Sequence, residues 1–226
     1  MNPKPKQYIR ISYDILPRMP VFIGNPPNRI EPVDSFEHGE DWNTFSITLF
    51  NHNGTHIDGP NHFERKGKKI CDYRIGEFIF DNPLLLDIPK KEGEAVSAED
   101  FPLDKKKDCD ILLIRTGFYK ERSQKAYVNN NPWISPEAGR LIREQFKTVK
   151  AVGIDTISIG SPRYPQEAIE AHRILLRRNG PYPDPPFLVE DLHLGMIDRP
   201  IKKIFFIPLF VVGVDSMPCT AFVEVA

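Results

Sequence analysis

The chain has 226 residues, 40% of them hydrophobic, with 30 Lys and Arg against 31 Asp and Glu and a formal net charge of −1. A domain of that length buries roughly 70% of its unfolded surface, so folding needs neither disulfides nor a structural metal. Balanced charge without long blocks of one sign excludes a nucleic-acid or membrane-surface role, and three scattered cysteines, Cys71, Cys109 and Cys219, exclude a disulfide framework and fit a reducing compartment.

The opening MNPKPKQYIRISYD lacks the apolar stretch of a signal peptide. The most apolar run, 204–214, is broken by Pro208 and falls short of the ~20 residues of a membrane span. The expectation is a cytoplasmic protein with a small-molecule substrate. Tyr8 to Ile15 alternates as a strand does, the proline-marked stretch 17–32 reads as irregular, and Thr44 to Phe50 puts Phe45, Ile47 and Leu49 on one strand face. Short apolar runs at 84–88, 110–114, 151–155 and 203–210, with the closing 220–225, predict interior strands. Ser135 as cap and Pro136 in the first turn predict a helix through 138–150. A second helix is predicted from Pro165 to Arg178, stopped by Asn179-Gly180. With no repeat and no visible boundary, the expectation is one α/β domain over 1–226, strand-rich with few helices.

Of six histidines, three fall close together in Asn51-His52-Asn53-Gly54-Thr55-His56-Ile57-Asp58-Gly59-Pro60-Asn61-His62-Phe63, with an aspartate among them. Imidazole and carboxylate are ligands that zinc, manganese and iron accept alike. A helix is opposed by Gly54, Gly59, Pro60 and the β-branched Thr55 and Ile57. A straight strand puts 52, 56, 58 and 62 on one face but separates His52 from His62 by roughly 33 Å. The chain must therefore curl, and Gly54 and Gly59-Pro60 sit where bends are needed. His52, His56, Asp58 and His62 are accordingly read as candidate metal ligands.

Two remote residues are less decided by the sequence. His172 shares a helical face with Ala168, Ala171 and Leu175, which by itself describes a hydrogen-bonded core histidine. Glu190, if extended, shares a face with Leu188, Leu192 and Leu194; that is costly without a compensating cation, and a local irregularity turning it outward is the equal alternative. Asp191 and His193 then face the other way, His193 solvated or capping. Phe22, Phe63 and Trp133 are candidate walls for an aromatic substrate, Trp133 being better explained by packing.

The segment His52 to His62 resembles the His-x-Gly-Thr-His-x-Asp-x-Pro-x-His signature of the metal-dependent cyclase family, which contains kynurenine formamidases and isatin hydrolases. The resemblance continues through 11–15, 20–26, Ile114-Arg115-Thr116-Gly117-Phe118, 131–138, Gly153-Ile154-Asp155 and Gly213-Val214-Asp215-Ser216-Met217-Pro218. It departs at Gly160, where the family often carries an acidic residue, and at Cys219-Thr220, where it often has arginine. The family resemblance implies a swivelling β/β/α fold and a homodimer or homotetramer. It also implies a centre of one or two divalent ions, zinc first and manganese second, held by His52, His56, Asp58, His62, His172 and Glu190. The activity it implies is hydrolysis of an amide-type C–N bond, with an arylformamide as leading substrate and a cyclic amide as alternative. His62 or His172 would protonate the leaving nitrogen, with Phe22 and Phe63 against the substrate. A merely structural or carried metal is the competing reading.

Overall fold

The computed structural model describes residues 7–102, 108–178 and 182–226. Its strands are β1 (Gln7–Arg10), β2 (Arg29–Asp34), β3 (Thr44–Thr48), β4 (His56–Asp58), β5 (Ile79–Phe80), β6 (Pro83–Asp87) and β7 (Ala95–Val96). They continue with β8 (Ile111–Arg115), β9 (Trp133–Ile134), β10 (Ala151–Ile154), β11 (Phe187–Glu190), β12 (Ile201–Pro208) and β13 (Ser216–Val225). Three α-helices join them, α1 (Lys125–Asn129), α2 (Pro136–Gln145) and α3 (Pro165–Leu176).

Nine strands form one mixed sheet in the order β5-β12-β13-β4-β11-β10-β8-β6, with β1 added on β13. β6, β8, β10 and β11 are parallel neighbours. From β11 outward every pairing is antiparallel, through β4, β13, β12 and β5. The parallel strands come from the continuous apolar runs, as strands buried on both faces do. Their side chains alternate between two cores. Ile111, Leu113, Phe187 and Val189 join Ile57, Ile204 and Val223 on one face. Leu112, Ile114, Val152, Ile154 and Leu188 meet Ala138, Ile142, Leu175 and Leu176 from α2 and α3 on the other. Glu190 is in phase with Leu188, whereas His56 and Asp58 are out of phase with Ile57, so all three project toward the helix-covered face.

The chain is thus α/β, strand-rich and short of helices, as the sequence predicts. Boundaries differ for physical reasons. Within 17–32, read as irregular, β2 begins at Arg29 and pairs with β3, with a register shift between Pro32 and Asp34. β3, read from the alternation of Phe45 and Ile47, forms over Thr44–Thr48 although every residue of it is exposed, whereas β2, interrupted by Pro32, carries no comparable alternation. α2 starts where Ser135 caps it, its Oγ accepting from the Ala138 amide at 3.1 Å. It ends at Gln145 rather than 150 because the chain turns into the core at buried Phe146 and Val149, and the Lys150 amide already donates to Asp110 O, 2.8 Å. α3 ends at Leu176; Arg177 is extended and donates to Phe63 O, 2.8 Å. The predicted stop at Asn179-Gly180 lies outside the described residues. Among the described residues no helix is long and apolar enough to cross a membrane.

Candidate metal centre

β4 is three residues long and lies between β11 and β13, so His56 and Asp58 are almost fully buried. Bends on either side bring the flanking histidines back over it. Gly54 sits at φ +73°, where an added Cβ would meet Met19 Cε at 2.5 Å. After β4, Gly59-Pro60 opens a 3-10 turn over Pro60–His62, with the His62 amide donating to Gly59 O at 3.0 Å. Ring centroids of His52 and His62, far apart on a straight strand, are 4.3 Å apart. α3 supplies His172, 5.8 Å from His62 between ring centroids. The sequence-predicted ligands His52, His56, Asp58, His62, His172 and Glu190 all meet here.

The backbone fixes which imidazole nitrogens face inward. His56 Nδ1 donates to Gly54 O at 2.8 Å, and His172 Nδ1 to Ala168 O at 2.7 Å. A carbonyl only accepts, so Nδ1 carries a proton in both rings and each ring turns its Nε2 into the cluster. His56 Nε2 lies 3.4 Å from Asp58 Oδ1 and 3.4 Å from Glu190 Oε2. His172 Nε2 is 3.6 Å from Glu190 Oε1, which also accepts from Ser158 Oγ (2.9 Å) and the Ile159 amide (2.7 Å). Asp58 Oδ1 is 3.1 Å from His52 Nδ1, yet neither Asp58 oxygen has a hydrogen bond of acceptable geometry. A buried carboxylate without a well-formed hydrogen bond, ringed by imidazole nitrogens, is an environment that a cation completes. Three overlapping sets bring one donor atom per residue within 4.8 Å of one another: His52, His56 and Asp58; His52, His62 and Asp215; Asp58, His62 and His172. This donor set fits a divalent ion.

The electrostatics agree. Burial pushes the Asp58 carboxyl up, but His56 and His52 outweigh it and hold it far below the ordinary range. Burial works against a charged His52, yet Asp58 and Asp215 push its pKa up to about 10. Burial likewise opposes ionisation of His172 and Glu190, but their mutual contact raises the first and lowers the second.

Asp215 was not among the residues the sequence singled out as ligands. Its Oδ2 accepts from His62 Nδ1 (2.8 Å) and lies 3.1 Å from His52 Nε2, while Asn51 Nδ2 donates to Oδ1 (2.9 Å). The signal was its place in Gly213-Val214-Asp215-Ser216-Met217-Pro218, but 153 residues separate it from His62. Phe63 stacks on His172 (4.8 Å, 21°) and meets His62 edge-on (4.7 Å), as a pocket wall would. Phe22 packs instead against Phe118, Tyr127 and Ile157, with no described ring contact to a histidine. Trp133 is packing: buried, stacked on Tyr164, and donating to Glu167 Oε2 at 3.0 Å. His193, expected to be solvated or capping, takes the N-cap position of the 3-10 turn Leu194–Met196 without a side-chain cap bond, and its ring stacks on Tyr13 with centroids 4.8 Å apart.

The sequence profile of the putative cyclase family matches residues 9–161. A kynurenine formamidase of Geobacillus thermodenitrificans is 27% identical over 227 residues, covering 98% of this chain and 97% of its own. Isatin hydrolase A from Labrenzia aggregata, bound to benzyl benzoate, superposes with TM-score 0.82 at 18% identity over 97% of this chain and 94% of that one. A predicted metal-dependent hydrolase from Bacillus stearothermophilus gives 0.75 at 20% identity over 97% and 98%.

Proposed function

The chain belongs to the putative cyclase family, and from that premise we propose that it is a metal-dependent hydrolase of amide-type C–N bonds, with arylformamides of the N-formylkynurenine kind as its substrate class. The observation that carries the reading is the buried Asp58 carboxylate, without hydrogen bonds and faced by His52 and His56. His52, His56 and Asp58 would hold the ion, with His172 and Glu190 beside them, and His62 stays uncommitted. The metal-dependent description of the Bacillus stearothermophilus structure supports this. Zinc is the first choice and manganese the second.

A divalent cation supplies Lewis acidity there, polarising a carbonyl and lowering the pKa of water to about 7. The protein's own residues do the rest. His56 and Asp58 are sealed from solvent, while His52, His62 and Asp215 keep side-chain exposures of 17%, 26% and 26%, so substrate enters from their side. Asp215 holds the Nδ1 proton of His62 and leaves Nε2 to carry a proton to the departing nitrogen. His172, with Nδ1 bound to Ala168 O and Nε2 directed at Glu190, serves as ligand rather than proton carrier. Phe63 offers its ring to an aromatic substrate. The full-length likeness to a kynurenine formamidase supports the substrate class.

The test is metal content and hydrolysis of N-formylkynurenine, a simple aryl formamide and isatin, measured before and after chelation. Metal-dependent formamide cleavage is expected. Preference for isatin would replace the substrate assignment, and absence of tightly held metal after reconstitution would overturn the reading. The exposed Val33, Phe36, Phe45 and Ile47 of the β2–β3 hairpin support homodimer formation.

A further inference from the structure

β11 ends abruptly. Glu190 is its last residue, opposite His56 of β4, and the next residue, Asp191, has φ +52°. Among the described residues no other non-glycine has positive φ. Such a conformation persists only when its surroundings over-determine it, and it concentrates at functional sites.

Asp191 is over-determined. It is 1% exposed, and its carboxylate receives three donors. Arg122 forks onto it, Nε to Oδ1 at 2.9 Å and Nη2 to Oδ2 at 2.7 Å, and Tyr127 Oη donates to Oδ1 at 2.6 Å. The Tyr13 ring lies 3.8 Å from the Arg122 guanidinium carbon. The backbone is held too: the Asp191 amide donates to Thr156 O at 2.8 Å, and its carbonyl accepts from Thr55 Oγ1 at 2.6 Å. These two contacts matter because of where they lead. Thr156 opens the loop whose Ser158 and Ile159 bind Glu190 Oε1, and Thr55 immediately precedes His56. One kink therefore ties the Glu190-binding loop, the end of β11 and the approach to β4 into a fixed arrangement.

We propose that Asp191, locked by Arg122 and Tyr127, is a positioning residue that directs the Glu190 carboxylate at His56 and His172 and so sets the affinity of the centre for its cation. The proposal rests on the metal-centre reading above. Asp191 touches neither cation nor substrate; it acts through the backbone of Glu190. A bridge serving fold stability alone would leave the intrinsic affinity of the folded site unchanged.

The experiment uses the full chain, stripped of metal, with zinc affinity measured against a competing chelator and the visible absorption of the cobalt-loaded form recorded beside the Tm of the metal-free form. Asp191→Ala, which removes both the carboxylate and tolerance of the left-handed backbone, is expected to weaken zinc binding about 10- to 100-fold and alter the cobalt spectrum. Asp191→Asn, which tolerates that backbone, is expected to restore most of the affinity despite a lower Tm. Tyr127→Phe, a mild variant that removes one of the three donors, is expected to cause a smaller loss and decides the matter if Asp191→Ala does not fold. Wild-type affinity and spectrum in the variants that fold, with only Tm reduced, would overturn the positioning role while leaving the metal centre standing. A wild-type protein that binds no zinc would overturn both.

Discussion

His56 and Glu190 are direct partners across the antiparallel pair β4 and β11, with Nε2 of one 3.4 Å from Oε2 of the other. Such opposed residues interact most closely in a sheet. Register therefore builds the site: a one-residue slip of β4 would carry His56 and Asp58 into the apolar core on the opposite face and leave Glu190 without its partner. The register is enforced by Ile57 and Val189, which pair with each other fully buried on the face opposite His56, Asp58 and Glu190.

Asp58→Asn probes both the functional and the structural role of that arrangement. Activity is expected to fall more than about 100-fold, beyond what losing an outer partner of a ligand costs. At neutral pH the Tm of the metal-free variant is expected to fall below that of the metal-free wild type, because the charge pairing of Asp58 with His56 and His52 is lost. Thermal unfolding beside steady-state kinetics checks both. Retained turnover sinks the ligand assignment.

Asp215 acts one step further out. Its carboxylate orients His52 and His62 together, so Asp215→Asn is expected to lower kcat/KM about 10- to 100-fold at saturating metal. The His62 role also predicts that His62→Asn loses turnover while metal stays bound. Metal analysis of that variant checks it, and full activity without His62 would transfer proton delivery elsewhere.

The pH behaviour of the metal-free protein has a definite sign. His52 titrates near 6.5 unfolded and at about 10 folded, because Asp58 and Asp215 outweigh its burial. The stability this provides is fully present below 6.5 and is lost as pH rises through 10. Metal-free Tm is thus expected to decline across that window. With cation bound, His52 gives its lone pair to the ion instead, and the decline should shrink; affinity itself should rise with pH as protons cease to compete. Tm scans with and without zinc from pH 6.5 to 10 test this, and superimposable curves would contradict it.

Gly160 marks how closely α3 approaches the loop that binds Glu190. A Cβ there would sit 2.6 Å from Ala168 Cβ and 3.3 Å from His172 Cε1. Gly160→Ala is expected to cost about 1–3 kcal/mol of stability and to weaken metal binding by displacing His172. Unchanged Tm and affinity would show that the helix yields freely.

Much of this was legible in the residues. The histidine spacing with Gly54 and Gly59-Pro60 specified a curled ligand loop, because metal bond lengths forbid a straight one. Apolar runs such as Ile111 to Ile114 marked the doubly covered strands. Convergence from a distance was not legible: Asp215, Arg122 and Asp191 meet their partners only through strand order, which no local pattern encodes. Glu190 stayed ambiguous until β4 was placed opposite it. Of the β2–β3 hairpin, β3 was legible in the alternation of Phe45 and Ile47, whereas β2 was not, since Pro26, Pro27 and Pro32 read as breakers.

The exposure of that hairpin carries the last prediction. A two-stranded ribbon is at best marginally stable alone in water, yet this one displays Phe45 and Ile47 on one face of β3, 56% and 60% exposed, with Val33 and Phe36 beside them. The homodimer expectation supplies a second copy as their cover. Light scattering is expected to give a dimer for the wild type and a monomer for Phe45→Glu with Ile47→Glu, substitutions in residues that touch no part of the metal centre. A wild-type monomer would refute the dimer, and a dimeric double variant would place its interface elsewhere.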